Sequence, residues 1–208
     1  MLCLDLLSRV RSVLLLGAHS DDIEIGCGGT VLRLLDVNPD VKLTWCVFSG
    51  NEQRHAEAFA AAGLFAPAAD VRLFHFRDGL FPQEHRDIKQ QFERLKGVDP
   101  DLILTHSRDD RHQDHRTLAE LTWNTFRSHL ILQYEIPKWD GDLSRPNAYV
   151  RLDPQHLDGK LQHLESAFGT QRGKHWFDGE TFRGLARLRG MECNAKYAEA
   201  FHAAKLSL

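Results

Sequence analysis

The chain reads as an α/β protein, a mainly parallel β-sheet with helices on both faces, and three observations predict it. Short β-branched and Leu-rich runs alternate with longer stretches of helical spacing through the first two thirds of the sequence, the order that builds βαβ units. The runs are continuously apolar instead of alternating with a period of two, as strands buried on both sides are. Pro and Gly fall between the two kinds of segment, in Asn38-Pro39-Asp40 and Gly97-Val98-Asp99-Pro100-Asp101, where the chain has to turn.

In chain order, strands are expected over residues 13–16, 41–48, 71–76 and 102–105. Helices are expected between and after them, over 29–35, 55–62, 84–95 and 115–126. After Phe126 the alternation weakens. Residues 131–136 and 148–152 keep strand character and bracket a loop, 137–147, rich in Gly, Pro and Asp. A helix is expected over 156–167 and a closing helix over 195–204. Residues 169–190 have no clear period and are expected to form a loop covering a site. A length of 208 residues suits one substantial core. No repeat, low-complexity tract or linker divides it, so a single domain over 1–208 is expected.

Bulk properties exclude several classes. A net charge of -3 gives no electrostatic case for a nucleic-acid partner. Cys3, Cys27, Cys46 and Cys193 are scattered with no CxxC pair, which argues against a disulfide framework or thiolate zinc site and fits a reducing compartment. Residues 1–9 are interrupted by charge before a secretory apolar region forms, and no apolar stretch approaches the ~20 residues of a membrane helix. The expected location is the cytoplasm, with neither membrane nor nucleic acid as partner. A homo-oligomer stays open.

Ligands of open parallel sheets bind beyond the carboxyl ends of the strands. Residues 19–22, 49–52, 77–79 and 106–115 all follow predicted strands. Two of these segments concentrate imidazoles and carboxylates: Gly17-Ala18-His19-Ser20-Asp21-Asp22 and His112-Gln113-Asp114-His115. Helix capping would use one such side chain, not four. A metal site accounts for all of them, since zinc favours imidazole nitrogen and carboxylate oxygen, with three protein ligands and one open position when catalytic. His19 and Asp22 are three apart at a strand-to-helix turn, so one helical turn can aim both at one ion. Asp21 between them must point elsewhere, beside any water the metal holds. His112 and His115 repeat the spacing, with Asp114 between them as a partner for an imidazole.

Other residues carry weaker signals. Trp123, Trp139 and Trp176 suit either core anchoring or stacking on a sugar ring. His106 is either a structural histidine or a neighbour of the site. Arg183, Arg187 and Arg189 are either a solvated face or the partner of a nucleotide-sugar diphosphate. Gly26-Cys27-Gly28-Gly29 follows the first strand, but Val31 breaks the dinucleotide-binding pattern. Those glycines better suit close packing of a helix on the sheet.

The two motifs, in this order, resemble the AHPDD and HxDH motifs of the PIG-L/LmbE-like N-deacetylases, with Ser20 where that family usually has Pro. Arg54 and Glu57 match its R-x-x-E. Phe76-Arg77-Asp78-Gly79 and the stretch from Arg189-Gly190 to Tyr197-Ala198-Glu199-Ala200-Phe201 are similar to further family segments. The likeness is weakest over 138–183. It implies a Rossmann-like fold and a zinc-dependent hydrolase that removes N-acetyl groups from amino sugars. Carried over residue by residue, His19, Asp22 and His115 bind Zn2+, with Fe2+ as a further candidate. Asp21 is the catalytic carboxylate and accepts a proton as water attacks. His112 faces the substrate carbonyl, with Asp114 orienting it and, where His112 is protonated, keeping it cationic; Arg54 and Asp78 hold the sugar, and either Asp21 or His112 returns a proton to the departing amine. The implied partner is a small-molecule N-acetylated amino sugar or its conjugate, free, nucleotide-linked or lipid-linked. Alternatives are a deacylase acting on a formyl or longer acyl amide, a non-haem iron enzyme and a non-catalytic metal- or sugar-binding module.

Overall fold

The apolar runs lie side by side in the computed structural model, which describes residues 3–143 and 145–207. Met1, Leu2 and Leu208 lie outside the described residues, as does Ser144 of the 137–147 loop. Five strands run parallel: β1 (Ser12–Gly17), β2 (Lys42–Ser49), β3 (Asp70–Phe76), β4 (Leu102–His106) and β5 (Leu130–Tyr134). β6 (Ala148–Leu152) and β7 (Tyr197–Ala203) complete one seven-stranded sheet in the order β3-β2-β1-β4-β5-β7-β6, with β7 antiparallel to both neighbours.

Alternate residues of the central strands feed two cores. Val13 and Leu15 of β1 face one side, packed with α1 (Asp22–Val37), α2 (Glu52–Phe65), α5 (Pro154–Ala167) and α6 (Gly179–Glu192). Leu14 and Leu16 face the other, packed with Phe81, Ile88 and Phe92 of α3 (Phe81–Leu95) and with Leu118 and Leu121 of α4 (Gln113–Thr125). Burial on both faces is why these strands are continuously apolar.

Two expectations fail in the last third. Residues 195–204 do not form a closing helix; Tyr197–Ala203 is β7, wedged between β5 and β6. Its alanines favour a helix locally, and ladders on both edges override that preference. Residues 169–190 are not all loop, because α6 starts at Gly179. Its signals were a cap at Asp178, whose side chain accepts from the Thr181 N–H, and buried Phe182, Ala186 and Gly190 at four-residue spacing. Interleaved Arg and Gly residues hide that stripe.

Two features of this topology place the functional residues. β1 connects outward through β2 and β3, whereas its other neighbour β4 connects outward through β5. The crevice beyond the carboxyl ends of β1 and β4 is therefore the switch point of the sheet, and both His/Asp motifs emerge there. The second feature is a break in α1, where Cys27 leaves helical geometry at φ -146° and ψ 17°. Gly26 lies flat against Tyr134, whose ring would stand 2.3 Å from an added Cβ, and Gly29 would meet Leu152 at 2.6 Å. The glycines do serve close packing.

Candidate metal centre

At the end of β1 the chain turns sharply, and the His19 N–H donates to Asp22 Oδ2 at 2.6 Å. That turn brings His19 and Asp22 to the head of α1. The loop after β4 delivers His115 on the first turn of α4. The three side chains meet: His19 Nδ1 lies 3.1 Å from His115 Nε2 and 3.3 Å from Asp22 Oδ2, and His115 Nε2 lies 3.5 Å from Asp22 Oδ1. Ligands at zinc distances of ~2.0–2.2 Å in a tetrahedron stand roughly 3.3–3.6 Å apart. The donor types suit a divalent cation and the spacings lie close to that range; His112 stands within 4.8 Å of His19 and His115, and His106 within 4.8 Å of Asp22 and His115.

The outward nitrogens strengthen the fit. His115 Nδ1 is 2.9 Å from Asp110 Oδ2, and His19 Nε2 is 3.1 Å from Asp78 Oδ1 and 3.4 Å from Asp114 Oδ2. A carboxylate behind each imidazole holds the proton on the outer nitrogen and leaves the inner lone pair free for a metal. Asp110 also accepts from the His112 N–H at 2.8 Å and pairs with Lys138 at 3.1 Å. The sequence reading missed it. Its signal was a carboxylate five residues before a candidate ligand, within Asp109-Asp110-Arg111-His112. His106 stacks on His115 with ring centroids 3.9 Å apart, and its Nε2 lies 3.2 Å from Asp22.

Charge follows this packing. Burial opposes ionisation of Asp22, but His115, His106 and His19 outweigh it and hold its pKa well below the usual carboxylate range. Burial and the neighbouring His106 push the pKa of His115 down to about 4. Burial works against a charged His19, but Asp22, Asp114 and Asp78 outweigh it and raise its pKa well above the usual value, so a cation binding there would displace the proton from its inner nitrogen.

Asp21, buried beside the trio, follows a different logic. Burial raises its pKa, and Arg54, whose guanidinium lies 2.9 Å away, only partly offsets this. Arg54 also contacts Glu57 at 2.7 Å and Thr170 at 3.1 Å and lies over the Phe168 ring. The residue expected to hold a sugar is thus surrounded by protein, with Asp21 as its inward partner. Asp78, by contrast, is 75% exposed at the rim.

His112 and Asp114 do not form the expected pair. The Asp114 carboxylate accepts from the Gly79 N–H at 2.6 Å and the Phe81 N–H at 3.1 Å, so it fixes the turn after β3 instead. On the first turn of α4 its side chain reaches back across to that turn. His112 Nδ1 accepts from the Asp114 N–H at 3.3 Å, capping α4. A ring nitrogen that accepts carries no proton, so His112 is neutral with its proton on Nε2. Burial and His19 also lower its pKa. Of its two protonation states, the neutral one is the state that fits these contacts.

The weaker signals resolve similarly. Arg189 pairs with Glu135 at 2.6 Å and Glu192 at 2.8 Å, and Arg183 with Asp158 at 2.8 Å, while Arg187 donates to the Lys196 carbonyl. Three guanidiniums with separate partners do not converge on a diphosphate. Trp123 and Trp176 pack against the cores, whereas Trp139 is exposed. Among the described residues no helix is long and apolar enough to cross a membrane.

Comparison with known proteins agrees with the geometry. The family model described as PIG-L, GlcNAc-PI de-N-acetylase, matches residues 14–126, which include both motifs. The uncharacterized deacetylase YaiS of Escherichia coli K12 is 25% identical, over 76% of this chain and 91% of that protein. Among solved structures, the N,N'-diacetylchitobiose deacetylase of Pyrococcus horikoshii is 20% identical with a TM-score of 0.70, covering 94% of this chain and 84% of that one. GalB, the 4-carboxy-2-hydroxymuconate hydratase of Pseudomonas putida KT2440, is 18% identical with a TM-score of 0.75, covering 95% and 98%. At these identities the two structures speak for the fold alone, a fold that carries more than one reaction. With both motifs inside a match spanning more than half its length, the chain belongs to the PIG-L family of deacetylases.

Proposed function

We propose that the protein is a cytoplasmic, metal-dependent amidohydrolase that removes the N-acetyl group of an amino sugar or amino-sugar conjugate. The observation that carries this reading is the trio of His19, Asp22 and His115, with inner lone pairs convergent and outer nitrogens backed by carboxylates, next to a buried Asp21 that ligates nothing. The three residues would hold Zn2+, or Fe2+ in its place. A bound cation supplies a water acidified toward pKa ~7 and a polarised amide carbonyl.

The chain's own groups supply the rest. Asp21, with its raised pKa, is suited to take the proton of the attacking water. His112 presents Nε2–H to the oxygen that becomes negative in the tetrahedral state, as a donor fixed before the reaction begins. Because its Nδ1 is engaged by the backbone, giving up that proton would leave an imidazolate. The proton for the departing amine therefore comes back from Asp21. Arg54 holds the Asp21 carboxylate in place, and the exposed Asp78 accepts from a sugar hydroxyl.

The test is incubation of zinc- or iron-loaded protein with a panel of N-acetylated, N-formylated and longer N-acyl amino sugars and their nucleotide conjugates, reading free amine. Amine release from an N-acetyl sugar, abolished in Asp21→Asn, is the expected result. Tight metal binding with no amine released from any member of the panel would overturn the reading.

A further inference from the structure

The break in α1 is filled by two buried side chains that no step above uses. In an unbroken helix the Gly29 N–H would bond to the Ile25 carbonyl, four residues back. Here both groups turn to side chains. Glu199, from β7, accepts from the Gly29 N–H at 2.9 Å through Oε1 and from the Thr30 N–H at 2.6 Å through Oε2. Lys160, from α5, donates to the Ile25 carbonyl at 2.6 Å. The two are joined by an ion pair of 2.6 Å, and each side chain is only 6% exposed. An ion pair thus bridges the break in the helical ladder: Glu199 caps the second segment of α1 and Lys160 closes the first.

The first segment is little more than one turn and carries Asp22 at its head. One of its faces is fixed by Gly26 lying on Tyr134, whose hydroxyl donates to the Leu16 carbonyl at 2.6 Å at the end of β1. Its other end is fixed by Lys160. A short helix held at both ends can point its first residue in a direction the longer second segment does not share.

We propose that Lys160 and Glu199 are positioning residues for the cation site: by bridging the break they set the direction of the first turn of α1 and hence of the Asp22 carboxylate. The inference rests on the reading of Asp22 as a cation ligand. It gives the region beyond residue 126, which contains neither motif, a part in building the centre. Groups bonded directly to metal ligands typically change affinity ~10–100-fold when removed; Lys160 and Glu199 act through one turn of helix, and about tenfold, the low end of that range, is expected here.

The experiment uses Co2+ as an optical probe in the full chain. Wild type, K160M, E199Q, K160R and a control, Leu157→Ala, are compared for thermal midpoint, far-UV circular dichroism, Co2+ affinity and visible Co2+ spectrum. Leu157 is a fully buried α5 residue that supplies none of the bonds bridging the break, so it reports the effect of lost packing. K160M and E199Q are expected to weaken Co2+ binding about tenfold and to alter its spectrum while folded, with K160R partly restoring both. With amide substrate, kcat falls while KM holds. Should K160M not fold, the near-isosteric E199Q provides the same comparison. Affinity and spectrum unchanged from wild type in a folded K160M or E199Q would overturn the positioning role while leaving the cation site intact. A wild type that forms no Co2+ site would instead overturn the cation reading and this inference with it.

Discussion

Replacing Asp110 by alanine removes three contacts at once: the bond to His115 Nδ1 at 2.9 Å, the bond from the His112 N–H at 2.8 Å and the pair with Lys138 at 3.1 Å. Lys138 keeps Asp142 at 2.5 Å, so its charge is not orphaned. The imidazole and the amide lose partners inside a nearly closed site. Two charge-assisted bonds at ~1–3 kcal/mol each give a loss of about 2–6 kcal/mol in metal-free stability. His115 also loses the group that holds its proton on Nδ1, which should weaken zinc affinity by ~10–100-fold. Chelator competition measures the second quantity and denaturant unfolding without metal the first. The pH dependence has a definite sign. Burial opposes ionisation of Asp110, but His115, His106 and Lys138 outweigh it and hold its pKa far below the usual value. A carboxyl whose folded pKa is depressed stabilises the fold above its unfolded value of ~3.9, and that contribution is lost as pH falls through the folded value. The stability gap between wild type and Asp110→Ala should therefore be full from pH 5 to 8 and close only in acid. Wild-type zinc affinity in Asp110→Ala would refute the argument that the carboxylate sets the imidazole tautomer.

Other substitutions separate the remaining roles. Asp22→Ala should lose metal and activity together, whereas Asp21→Asn should keep metal and lose a hundredfold or more in turnover; metal content and kcat measured on the same samples decide this. Gly26→Ala places a Cβ 2.3 Å from the Tyr134 ring, an overpacking expected to cost about 1–3 kcal/mol in denaturant unfolding. Glu24 is fully buried, and burial raises its pKa well above the usual value. A carboxyl with a raised folded pKa stabilises below its unfolded value, and that contribution is lost as pH rises through the folded one. Glu24→Gln should accordingly be more stable than wild type near neutral pH, with the difference shrinking toward pH 4. Equal midpoints at pH 8 would count against this.

Where sequence was informative, a local pattern and a global constraint agreed. The runs at 13–16 and 102–105 are apolar throughout because both sheet faces are covered, and that same centrality puts the motifs after them at the switch point. Where it misled, a distant partner decided. Tyr197-Ala198-Glu199-Ala200-Phe201 has the composition of a short helix, and only ladders to β5 and β6 make it a strand. Spacing paired His19 with Asp22 and His112 with His115, because residues three apart on one turn share a face; the family resemblance, not spacing, singled out His115 from the second pair. Spacing could not reveal that Asp114 serves the turn after β3, or that Arg54 meets Asp21, since both contacts join segments far apart in sequence. Asp110 was overlooked for a simpler reason: two adjacent aspartates in a loop look like solvated turn residues until one is found behind an imidazole.

The insertion of β7 between β5 and β6 has a consequence for synthesis. β5 pairs with β7 across some seventy residues of chain, Tyr134 opposite Phe201. While the ribosome is still making those residues, β5 ends the sheet as a bare hydrogen-bonding edge, open to pairing with another nascent chain. Such distant pairings also slow folding, because the loop must close before the contact stabilises it. Translation that stops before residue 197 would thus yield a polypeptide with both histidine motifs and an unsealed, aggregation-prone flank.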